Sequence, residues 1–168
     1  MRDFHTYSTY GGSAVQFTTS SGVRCRIWDP LASFQPWTGI ECWGQLPGVA
    51  PNLNLAVASV YPYDKDTHTA FNSGPVPQER AVYSFFEHTD LSKHETSGLQ
   101  QTPVDPASYH PLAAGQMILV PGSRGAPTIN DAMCAADPDD TLTCEMQNAW
   151  GRGETHGFRL SPHGSRAY

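Results

Sequence analysis

Four cysteines, Cys25, Cys42, Cys134 and Cys144, constrain this chain more than any other feature. They fall into two local pairs with spacings C-x16-C and C-x9-C. Zinc ribbons and knuckles place their ligands roughly two to four residues apart. A thioredoxin-type redox site needs C-x-x-C. Neither pattern is present. Each pair brackets turn-forming residues: Asp29-Pro30 and Pro36-Trp37-Thr38-Gly39 in the first, Asp137-Pro138-Asp139-Asp140 in the second. Two antiparallel strands joined by such a turn bring their cysteines opposite each other, within bonding range. We therefore expect the bridges Cys25–Cys42 and Cys134–Cys144, with four free buried thiols as the alternative. Disulfides belong to oxidising compartments. Yet the chain opens Met1-Arg2-Asp3-Phe4-His5, without an apolar stretch or a small-residue cleavage site. The expectation is an extracellular or cell-envelope protein whose signal or anchor sequence is absent from this chain. A reduced cytosolic protein is the alternative.

The rest of the pattern is mostly β. Residues 15–19 alternate and are rich in strand formers, and Ser20-Ser21-Gly22 reads as a turn. Further strands are expected over 23–28, 39–43, 53–61, 116–120, 132–135 and 142–147, with a terminal hairpin over 157–160 and 165–168. Residues 78–88 are ambiguous. Pro77-Gln78-Glu79-Arg80 looks like a helix start, and Val82, Phe85, Phe86 and Thr89 fall at helical spacing. Val, Tyr and Phe suit a strand equally well. From 88 to 110 the chain is polar and carries Pro103 and Pro106, which reads as a long loop. The 168 residues fit one domain, and no Gly/Ser linker divides them. The fold expected is mainly β: a single antiparallel domain over 1–168, barrel or sandwich-like, with long loops and at most one short helix near 78–88.

Two segments echo each other. Residues 17–24 resemble 158–166 with one residue inserted, and Ile40-Glu41-Cys42 resembles Leu142-Thr143-Cys144. Shared hairpin turn chemistry accounts for this; two related disulfide hairpins are the sharper reading.

The cysteine-bearing ends also resemble a family. Phe17-Thr18-Thr19-Ser20-Ser21-Gly22-Val23-Arg24-Cys25, followed by Ile40-Glu41-Cys42, looks like the opening of small exported proteins of mycobacteria and related actinobacteria. Serine stands here where proline is commoner in that opening. Leu112-Ala113-Ala114-Gly115-Gln116, Cys134, Cys144-Glu145 and His156-Gly157-Phe158-Arg159-Leu160-Ser161 are similar to the tail of the same proteins. The resemblance covers about half of the chain and not residues 45–110. It implies export, two local disulfides and a β-rich fold. It implies no catalytic residue.

Composition narrows the partners. The net charge is −6, with two lysines against eight arginines and only 15% charged residues. No basic stripe exists to neutralise phosphates, which argues against nucleic acid. No apolar run is long enough for a transmembrane helix. Seven histidines raise the question of a metal. Glu87-His88-Thr89-Asp90 and His94-Glu95 gather imidazoles and carboxylates, but the His88/His94 spacing is neither a helical pair nor a finger pattern. No metal and no cofactor is expected, with His88 and His94 as weak metal candidates. Asp137-Pro138-Asp139-Asp140 lacks the glycine and distal glutamate of an EF-hand and reads as a hairpin tip. A serine hydrolase needs Ser, His and acid to converge, and no G-x-S-x-G elbow or P-loop occurs. Ser123 and Ser161-Pro162-His163 lie in turns without an activating context.

Aromatic residues are more suggestive. Trp28, Phe34, Trp37 and Trp43 lie in and around the first bridged hairpin. Rings in loops supply apolar area with few rotors and serve as anchors. Phe34, Trp37 and Trp43 are the candidate binding residues; packing over the disulfide as a small core is the competing account. The function expected is non-catalytic binding of an envelope protein, glycan or lipid. The alternative is a secreted hydrolase with a His/acid site on the 87–110 loop.

Overall fold

A computed structural model describes residues 5–9, 12–28, 39–59, 83–97, 102–121, 131–147 and 155–168. The chain forms two main antiparallel sheets that do not close into a barrel. The first contains β1 (His5–Thr9), β2 (Gly12–Thr18), β3 (Arg24–Trp28), β4 (Gly39–Trp43), β5 (Leu55–Ser59) and β6 (Tyr83–Glu87) in spatial as well as chain order. A small ladder, β7 (Thr96–Ser97) with β8 (Thr102–Pro103), follows a one-turn helix α1 (Leu91–His94). Then β9 (His110–Pro111) pairs in parallel with β2 and becomes the seventh strand of the first sheet. The second sheet is the meander β10 (Met117–Val120), β11 (Ala132–Ala136), β12 (Leu142–Gln147), β13 (Thr155–Leu160) and β14 (Arg166–Ala167).

Alternation along each strand sends one set of side chains between the sheets. In β3 and β4, Cys25, Ile27, Ile40 and Cys42 face inward; in β11 and β12, Cys134, Leu142, Cys144 and Met146 do the same. One continuous apolar cluster contains them all, together with Phe17, Ala56 and Ala58 from the first sheet and Ile118, Val120, Phe158 and Leu160 from the second. Phe86 of β6 meets Phe158 of β13 across it, ring centroids 6.5 Å apart. Both expected disulfides form, Cys25–Cys42 and Cys134–Cys144, each between directly opposed residues of neighbouring strands. All four sulfurs are buried in the shared core, and no described cysteine is free.

The helix alternative for 78–88 gives way to strand over Tyr83–Glu87; residues 78–82 lie outside the described residues. The cause is tertiary. Strand geometry pairs Ala56 with Phe86 and Val57 with Phe85, and so sends the two rings to opposite faces of the sheet, each with an apolar cluster to meet. A helical turn would place them on adjacent positions of one surface.

Setting β1 and β9 aside, each sheet is a five-stranded meander whose second and third strands carry an inward disulfide. The register agrees too: Ile27 faces Ile40 beside the first bridge, and Ala136 faces Leu142 beside the second. Ile40-Glu41-Cys42 and Leu142-Thr143-Cys144 therefore occupy equivalent places in the two third strands. The longer echo does not, since it matches the first hairpin of one meander to the last of the other. Shared turn chemistry accounts for that one.

Glycine is obligatory at one junction. Gly48 has φ +63°, and a Cβ there would lie 2.2 Å from the Ser161 carbonyl oxygen. The turn that contains it is thereby drawn against the β13–β14 turn, where Ser165 N–H donates to the Gly48 carbonyl at 3.0 Å.

Candidate functional site

The outer face of the first sheet carries an unusual row. Register places Gln16, Arg26 and Glu41 side by side on β2, β3 and β4, followed by Val57 and Phe85 on β5 and β6. Alternation turns all of them away from the disulfide core. Polar side chains on such a face are ordinarily solvated, yet Gln16 is fully buried and Arg26 only 3% exposed.

Their cover is the segment expected to be a polar loop. It leaves β6 at one edge of the sheet, where Asn54 bonds both backbone groups of Thr89 (2.8 and 2.9 Å). Asp90 then caps α1 by accepting from Ser92 N–H. Residues 102–111 end on β2, next to the opposite edge strand β1, through the β9 pairing. We call residues 88–97 and 102–111 together the strap. Leu91, Val104 and Tyr109 of the strap pack on Trp43, Leu55 and Val57 in a second apolar cluster. Glu95 accepts from Arg24 through both oxygens, Nη2 to Oε2 at 2.7 Å and Nε to Oε1. Gln16 Nε2 reaches Ser108 Oγ at 3.5 Å.

Trp43 is the hub beneath the strap. His94 meets its ring edge-to-face at 4.8 Å between centroids, and Tyr109 does so at 6.0 Å. The Arg26 guanidinium lies 5.0 Å from the Trp43 centroid and 5.5 Å from that of Trp28, while donating to Gln16 Oε1 at 3.1 and 3.3 Å. His94 Nε2 stands 3.6 Å from Glu41 Oε2, an approach rather than a hydrogen bond. Burial pushes the Tyr109 hydroxyl up to about 12, opposed by the charge and hydrogen bonding of Arg26 and reinforced by those of Glu95. The phenol is therefore a neutral O–H near pH 7.

Three buried polar atoms in this cluster, Trp43 Nε1, His94 Nε2 and Tyr109 Oη, make no hydrogen bond of good geometry, although Tyr109 Oη lies beside Arg26 and Glu95 and His94 Nε2 beside Glu41. Native interiors carry only a few such groups per hundred residues, and each costs about 1–3 kcal/mol when left unpaired.

The sequence candidates fall as follows. Phe34 and Trp37 lie outside the described residues. Trp43 is fully buried, so its ring is not offered to solvent. His88 is exposed, whereas His94 is turned onto Trp43 and Glu41, so the structure does not bring the two together. Among the described residues, no three His, Cys, Asp or Glu side chains gather as a metal centre requires. Sequence reading missed Gln16, Arg26, Glu41 and Tyr109. Their signal is a polar residue set between apolar ones in a strand, which by itself says only that one face is polar. A shallow depression lies at one end of the sandwich, between Thr19, Ser20, Asp137 and Asp140. Among the described residues no helix is long and apolar enough to cross a membrane.

Comparison with protein-family models, with curated proteins and with solved structures finds no match to this chain.

Proposed function

We propose that this is an exported, non-catalytic binding protein whose recognition site is the strap-covered face of the first sheet. One observation carries the reading: polar atoms of Trp43, His94 and Tyr109 lie buried around one aromatic ring, beside Arg26, Glu41 and Glu95. A ligand group reaching that cluster would meet polar groups already fixed in an apolar surround. The two buried disulfides support export, because such bonds persist in oxidising surroundings.

Binding is favoured over hydrolysis by what surrounds His94. Its Nε2 faces a carboxylate, and no described hydroxyl or thiol stands within bonding reach as a nucleophile. The hydroxyl of Ser108 donates instead to the Asp105 carbonyl at 2.7 Å. A ligand screen read by thermal shift tests the reading. Stabilisation by some ligand, reduced in Tyr109→Phe, is the expected result. Turnover of ester, amide or glycoside substrates that depends on His94 would refute it in favour of the hydrolase.

A further inference from the structure

We propose that the open edge of β10 pairs with the same edge of a second copy of this chain, joining the second sheets of the two copies through an antiparallel strand pair centred on Ile118. This surface is separate from the strap-covered face.

β10 stands at the end of the second sheet, with β11 on one side and no described strand on the other. Its burial alternates. Ile118 and Val120 face the disulfide core, while Met117 and Leu119 are 59% and 43% exposed on the outer face. They are two of the three exposed large apolar side chains among the described residues; the third, Tyr168, donates to Glu145 at 2.6 Å. Met133 lies opposite Leu119 and Ala135 opposite Met117 on β11, both half-buried, so the outer face at this edge is apolar. Residues 116–121 carry no charge.

Sheets ordinarily protect a free edge with charge, shortness or a bulge. Elsewhere this protein does so. β14 is two residues long and carries Arg166, β1 pairs with β2 in an irregular register, and β6 ends in Glu87. β10 has an unbroken register from Met117 to Val120 and none of these devices.

Backbone direction then selects the partner. Ala136 N–H donates to the Gln116 carbonyl at 3.0 Å, so by alternation Gln116, Ile118 and Val120 aim their backbone groups at β11. Met117 and Leu119 aim theirs at the open edge. The row stops at both ends: Pro121 has no N–H, and the Gly115 N–H is spent on the Ala136 carbonyl at 2.7 Å. In an antiparallel pair related by a two-fold axis, opposed side chains share a face, so the axis stands at a residue and not between two. With the axis at Ile118, Met117 of each copy exchanges both backbone bonds with Leu119 of the other, and every open N–H and C=O is used. With the axis at Leu119, Met117 meets Pro121, which cannot donate. With the axis at Met117, Leu119 meets Gly115, whose N–H is taken. The Ile118 register also sets Met117 against Leu119 across the junction and opposes no like charges, although each copy carries −6. This self-fit favours a second copy over a foreign strand. Two four-residue strands bury less than the roughly 800 Å² per partner of a stable interface, so the dimer is weak, with a dissociation constant on the order of 100 µM.

The test is sedimentation and backbone amide exchange of the intact protein from about 10 µM to about 1 mM, a span that brackets that constant. The dimer fraction should rise across it. Exchange at Met117 and Leu119 should slow with concentration, while Ile118 stays protected throughout. Leu119→Pro removes an edge-facing donor and no bond to β11, and should abolish the dimer; Leu119→Val should keep it. If Leu119→Pro does not fold, Leu119→Lys makes the same comparison by charging the edge. Mixed Met117→Cys and Leu119→Cys proteins should cross-link faster than either alone, because the register opposes those positions. A monomer at every concentration would overturn the proposal. So would a dimer that leaves Met117 and Leu119 exchanging freely, or cross-linking as fast within either variant alone.

Discussion

Breaking the disulfides one at a time gives the sharpest test of the architecture. The Cys25–Cys42 bridge closes a separation of 17 residues and Cys134–Cys144 one of 10. The chain-entropy relation assigns about 3.1 kcal/mol to the first and about 2.7 kcal/mol to the second. Domains of this size are stable by about 5–15 kcal/mol, so either loss is a large fraction and both together approach the whole. The paired variants Cys25→Ala/Cys42→Ala and Cys134→Ala/Cys144→Ala should each remain folded but lose about 3 kcal/mol in urea denaturation. The slope against urea should rise, because an uncrosslinked denatured chain exposes more surface. Since both bridges lie in one apolar cluster, the four-alanine variant should depart from additivity. The reasoning fails if either pair can be removed without loss of stability. It fails outright if the unreduced protein, unfolded in denaturant, titrates four thiols.

Three further outcomes are expected. The Tyr109 hydroxyl, raised by burial to about 12, deprotonates first in the unfolded chain, so this contribution is intact below about pH 10 and is lost toward about pH 12. The loss is on the order of 2 kcal/mol, and Tyr109→Phe should flatten that part of the stability curve; an unchanged slope would reject the assignment. Glu95→Gln removes one partner of a half-buried pair, and hydrogen exchange in residues 88–97 and 102–111 should quicken about tenfold while β3 and β4 stay protected. Equal quickening throughout would show that the strap does not open separately. Gly48→Ala meets both a positive φ and a backbone oxygen, and should cost on the order of 3 kcal/mol by thermal denaturation; a neutral effect would contradict the junction.

Much of the β architecture could be read from the chain, because strand patterning is local. Alternation around Cys25, Cys42, Cys134 and Cys144, with turn residues between them, led to β3, β4, β11, β12 and both bridges. β1 was missed because His5-Thr6-Tyr7-Ser8-Thr9 has no apolar alternation to mark it, and its pairing with β2 contains an irregularity. Tyr83–Glu87 was ambiguous because Phe85 and Phe86 suit either geometry, and only a partner strand separates them. The site was less legible. Trp43 was singled out for its ring, while Gln16, Arg26 and Glu41 looked like an ordinary outward-facing set.

By itself, then, the sequence determined the period-2 strands, the turns and the local cysteine pairs, all of which depend on residues close along the chain. The tertiary structure alone decided what each face meets. Strand register lined up Gln16, Arg26 and Glu41, residues up to 25 positions apart, and tertiary packing buried the first two. Leu91, Val104 and Tyr109 are spread thinly among polar residues, so their stretch reads as loop. They become a cover only when Trp43, Leu55 and Val57 offer them an apolar surface, and no spacing along the chain records that contact.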